Sequence, residues 1–91
     1  MSSSPGYSNV FRLIATPELH ASGAIISTVA SAGAVITGLD VVDPWHHSVV
    51  LDLSCTTLDS GHVVVVRKIL TQLKGCWVEK DSDSTFLIHL G

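Results

Sequence analysis

Residues 22–43 read SGAIISTVASAGAVITGLDVVD, and this stretch restricts the fold more than any other. Ile25, Ile26, Val29, Ala30 and Gly33 recur at spacings of three and four, the period of a helix with one apolar face. Gly33 offers the left-handed position that ends a helix at little steric cost. Val35, Ile36, Leu39, Val41 and Val42 then follow with β-branched residues and no helical period, which predicts a strand. A short helix that hands over to a strand through one glycine is the middle of a β-α-β unit, so further strands are expected on both sides.

Both are present. Residues 10–15, VFRLIA, are apolar and predict a first strand covered on both faces apart from Arg12. Between this strand and the helix lies TPELHA, residues 16–21. Thr16 is a possible cap with Pro17 at the first helical position, and Ser22 is the rival cap, with the later start favoured. After the second strand, Asp43 and Pro44 mark a turn, and residues 49–53, VVLDL, resume strand character with Asp52 interrupting, which makes a hairpin. Asp59 or Ser60 caps a second helix. Its four consecutive valines suit a strand, but Val63, Val66, Ile69, Leu70 and Leu73 follow the helical period and Gly75 is a stop signal. Residues 76–80 predict a strand, residues 81–84 a polar turn or bulge, and residues 85–90 strand again.

The order β-α-β-β-α-β, with right-handed crossovers, predicts an α+β ferredoxin-like sandwich. Its four-stranded antiparallel sheet has the order 4-1-3-2, with two helices on one face. The second strand lies at an edge. Its apolar run predicts a homodimer through that strand and the first helix, with one continuous eight-stranded sheet. Residues 1–9, Ser-rich with a Pro-Gly turn signal, are expected to be a disordered arm, and residues 10–91 the domain.

Ninety-one residues suffice for one core. Charged residues make up only 14% of the chain against about 25% in an average soluble domain, so its surface suits a partner. Net charge is −3 with five Lys plus Arg, too few cations to line a nucleic-acid phosphate backbone, and no nucleic acid is expected. The apolar runs stop short of the ~18 residues that cross a bilayer, so no membrane partner is expected. Cys55 and Cys76 lack metal-ligand spacing and no apolar leader precedes them, which predicts reduced thiols in a cytoplasmic protein.

No nucleophile, base and orienting acid fall in a recognisable pattern, and no glycine-rich phosphate loop follows a strand. The chain is therefore expected to be non-catalytic, with no cofactor and no metal. His46 and His47 are neighbours without a third ligand nearby. A small ferredoxin-like enzyme using His20, His46 or His89 as acid or base is the alternative from a different class.

The element order, the helix end Ser31, Ala32, Gly33 and the strand AVITGLDVV of residues 34–42 together resemble an ACT domain, a small-molecule sensing module attached to metabolic enzymes. The closing segment DSTFLIHLG, residues 83–91, is similar to the junction where the amino-terminal ACT domain of certain bacterial malic enzymes runs into the catalytic part. The resemblance implies a regulatory, allosteric domain that binds an amino acid and belongs to a longer chain with a malate dehydrogenase (decarboxylating) activity. The turn of Pro17, Glu18, Leu19, His20, Ala21 and Ser22 precedes the amino end of the helix, whose free amides and positive dipole end are expected to receive the ligand's carboxylate near His20, Ala21 and Ser22, with Val35 as an apolar wall and the partner's second strand closing the pocket. Leu19 and His20 stand where amino-acid-binding members usually carry glycine, and Val35 where many carry a polar residue. These departures motivate a second reading, a purely structural dimerisation module.

Overall fold

The computed structural model describes residues 6–44 and 47–83. The chain runs β1 (Tyr7–Ala15), α1 (Pro17–Ser22), α2 (Ala24–Ser31), β2 (Val35–Pro44), β3 (Val49–Thr57), α3 (Ser60–Gln72) and β4 (Cys76–Asp83). All strand neighbours are antiparallel and the sheet order is β2-β3-β1-β4, the ferredoxin-like order read from the opposite edge. The helices cover one face.

Alternation along the strands builds the core. Phe11, Leu13 and Ala15 of β1 and Leu51, Leu53 and Cys55 of β3 point to the helices and are essentially buried. Ile25 and Val29 of α2 and Val63, Val66 and Leu70 of α3 close over them, the three- and four-residue spacing that the sequence displays. Fully burying one such side chain contributes about 1.5–3 kcal/mol. β1 is covered on one face only, which corrects the expectation of two. Val10, Arg12 and Ile14 lie half-buried on the open face, where Arg12 meets Asp52 of β3.

The start of the first helix is also corrected. Pro17 takes the first helical position after Thr16, whose hydroxyl accepts from Leu19 N at 3.2 Å, so the segment expected to be a turn is α1. Gly23, with φ of 77°, ends α1 and starts α2, and Ser22 Oγ accepts from Ala24 N at 3.1 Å. Ser22 thus serves the entry to α2, and the layer holds three helices rather than two. Gly33 (φ 86°) and Gly75 (φ 88°) take the left-handed positions expected of them. Asp59 caps α3 by accepting from His62 N at 2.9 Å.

Four boundaries move. β2 runs through Pro44, so Asp43 and Pro44, expected to mark a turn, pair with Val50 and Val49 of β3. β1 starts at Tyr7, because the first strand pairs with β3 from Tyr7↔Thr57 onward, so residues 7–9 do not belong to an arm, and Asn9 is buried. β3 runs to Thr57 rather than 53. β4 continues through Asp83, and its irregularity lies earlier, where Leu13 pairs with Val78 but Arg12 with Lys80, leaving Glu79 as the extra residue of a bulge. The expected strand over residues 85–90 lies outside the described residues, as do residues 1–5 of the expected arm. No described helix is long and apolar enough to cross a membrane.

Candidate functional site

At the end of the sheet where β1 enters α1, two turns are stitched together. Thr16 N donates to Gly75 O at 2.9 Å, tying the β1–α1 junction to the junction between α3 and β4. The approach is close because residue 75 is glycine: a Cβ there would stand 2.9 Å from Thr16 Oγ1. Above this seam opens a cleft of about 590 Å³, lined by Thr16, Glu18, Leu19, Lys74, Gly75 and Trp77. That volume lies within the range of small-molecule sites. Its wall is mostly carbon, and Trp77, 57% exposed, is the largest apolar surface there.

Two of the residues expected at the site, Glu18 and Leu19, line this cleft. Pro17, His20, Ala21 and Ser22 belong to the same helix without lining it. Val35 is not brought near. It pairs with Thr56, and Thr56 with Ser8, so its row lies seven β1 residues, about 23 Å, from Ala15, and on the opposite edge of the sheet. Backbone donors are scarce as well. Pro17 has no N–H, Leu19 N donates to Thr16 Oγ1 and His20 N to Thr16 O at 3.0 Å, so the first turn of α1 offers few amides to a carboxylate.

Lys74, Gly75 and Trp77 escaped the sequence reading, because nothing local links them to a turn nearly sixty residues earlier. The signal available was Gly75 itself, read only as a helix stop. Glu18 and Lys74 are exposed, sit on different turns around the cleft and make no ion pair with each other.

His62 is fully used: Nδ1 accepts from Leu58 N at 3.0 Å and Nε2 donates to Ala32 O at 2.7 Å. His46 and His89 lie outside the described residues. Among the described residues no three His, Cys, Asp or Glu side chains group to hold a metal ion. Cys55 and Cys76 are buried free thiols whose pKa values burial pushes up, away from nucleophilic thiolate character. They face residues Asn9 and Ala15 of β1, about 20 Å apart along the strand, which rules out a disulfide between them.

The fold and cleft define a small α+β domain of the ferredoxin-like kind. Its backbone is similar to the solution structure of the C-terminal domain of the MgtC protein from Mycobacterium tuberculosis, with a TM-score of 0.62 over 90% of this chain and 89% of that one; identity is 13%, so the likeness is one of fold. In sequence, 67 residues (74% of the chain) are 30% identical to a segment of the NAD-dependent malic enzyme of Geobacillus stearothermophilus. The chain spans only 14% of that enzyme's length. No family model matches.

Proposed function

We propose that this chain is a regulatory domain of the ACT kind, non-catalytic itself, that binds a small metabolite of the amino-acid class and pairs with a second copy. The observation that carries the reading is the cleft at the β1–α1 junction, which contains Glu18 and Leu19 of the expected ligand site. The match to one segment of a malic enzyme supports an origin as a part of such an oxidoreductase, whose catalytic portion is then its partner within one chain. Pairing through β2 and α2 is supported by the exposed apolar residues Val35, Val41 and Val42 at the sheet edge and Ile26 on α2. Two bulges, at Thr37 and Val42, leave only a short regular run of β2 for a partner strand.

A thermal-shift screen of amino acids and organic acids tests the ligand half. A ligand present at a hundred times its Kd stabilises the folded state by about 2.7 kcal/mol, so the midpoint rises saturably, and Trp77→Ala abolishes the rise. The dimer half is tested by sedimentation: the wild-type chain runs as a dimer and Val41→Lys as a monomer. A wild-type monomer refutes the pairing.

A purely structural dimerisation module is favoured instead by the occupied amides of the first turn of α1. Silence across the screen together with an intact dimer supports that reading.

A further inference from the structure

Resting on the proposed metabolite cleft, we infer that the site takes an α-amino acid with an aromatic or long apolar side chain, and that one copy of the chain binds it alone. The chemistry follows from what lines the cleft. Trp77 contributes an exposed indole to the lining and Leu19 an aliphatic side chain, so the body of the ligand is apolar, and an aromatic ring stacks or meets edge-to-face with the indole. The ionic groups at the rim are of opposite sign. Glu18 projects from the first turn of α1 and Lys74 from the turn before β4, and neither has a hydrogen-bond or ion-pair partner among the described residues. A pair of opposite charges that line one cleft without neutralising each other complements a ligand carrying both: its carboxylate meets Lys74 and its ammonium Glu18. A simple anion is repelled by Glu18 and a simple cation by Lys74.

The single-copy claim follows from topology. The cleft borders β4, one edge of the sheet, whereas the exposed apolar residues Val35, Val41 and Val42 belong to β2, the other edge. A second copy seated on β2 therefore contributes nothing to the cleft, and occupancy does not depend on pairing.

Isothermal titration of the 91-residue chain with phenylalanine, phenylacetate and phenethylamine tests this. Phenylalanine is expected to bind at one per chain, at least about tenfold tighter than either singly charged analogue. Lys74→Met should weaken phenylalanine and phenylacetate about tenfold or more and leave phenethylamine unweakened, with Glu18→Gln doing the reverse for the two amines. The Val41→Lys variant should keep the stoichiometry and affinity. Phenylalanine binding that ignores both charge substitutions, or that saturates at one per dimer, overturns the inference. If only small polar amino acids bind, and Trp77→Ala abolishes that binding, the cleft reading survives and this one fails. If no amino acid binds at all, both fall.

Discussion

Arg12 grips Asp52 across the open face of the sheet with two hydrogen bonds of 2.8 Å, from Nε and Nη2 to the two carboxylate oxygens. The residues face each other in the β1–β3 register, and Asp40 of β2 stands opposite Asp52 on the other side. The hydrogen bond to Asp52, with the charges of Asp52 and Glu79, pushes the guanidinium pKa up despite partial desolvation, so Arg12 stays charged. Removing the cation leaves two carboxylates as cross-strand neighbours, a like-charge arrangement that disfavours the sheet.

Arg12→Met should therefore lower the thermal midpoint by a few degrees, and adding Asp52→Leu should restore part of the loss. The gap between wild type and Arg12→Met should narrow in 1 M salt, where charge interactions are screened. A single variant as stable as wild type at low salt shows that the grip contributes nothing.

The fold was legible because its marks are local. Gly33 and Gly75 advertise helix ends, Asp59 advertises a cap, and the apolar periods of residues 25–33 and 63–73 name the faces that meet the sheet. α1 was harder to see, since six residues are too few to display a period and Ser22 and Gly23 carry the stronger entry signal for the longer helix that follows. The cleft was only half legible. Glu18 and Leu19 lie beside the turn where the resemblance points, but Lys74, Gly75 and Trp77 reach it through the contact between Thr16 and Gly75, which depends on β1 and β4 being neighbours. The role of His62 was hidden for the same reason: its partner Ala32 is thirty residues away.

Gly75 and Gly33 provide a comparison within one molecule. Both have positive φ, so alanine at either forces a side chain into the left-handed region at about 1–2 kcal/mol. At Gly33 the new methyl stands no closer than 3.8 Å to His62, an ordinary contact, whereas at Gly75 it comes within 2.9 Å of Thr16 Oγ1. Gly75→Ala should cost more than Gly33→Ala in urea denaturation and should weaken any ligand of the cleft. Equal costs show that Thr16 gives way freely.

Cys55 and Cys76 make stability sensitive to alkaline pH. Burial disfavours the thiolate, so each folded pKa lies above the unfolded value of about 8.5. The stabilising effect of holding each thiol neutral is present in full below the unfolded pKa and is lost as pH rises through the higher folded one. Between pH 8 and 10 the wild type should lose more stability than a Cys55→Val, Cys76→Val variant compared over the same range. Alkylation by iodoacetamide at pH 8 should be at least about tenfold slower in the folded chain than in urea. Matching rates place the thiols at the surface.

The ring of His62 bolts the end of α2 to the start of α3. Its two bonds fix the tautomer with the proton on Nε2, facing Ala32 O, and leave Nδ1 to accept from Leu58 N. Ala32 is the C-cap of α2 and precedes Gly33, so the bolt also positions the chain as it enters β2. His62→Ala removes both partners at once. Its cost should be about 1–2 kcal/mol, because Ala32 O and Leu58 N then rely on water. Amide exchange should separate this role from general destabilisation: Leu58 and the last turn of α2 should lose protection out of proportion to Leu13 and Leu51 in the sheet, since local opening there no longer breaks the two bonds. Uniform loss of protection across all these amides would show that the ring only fills space.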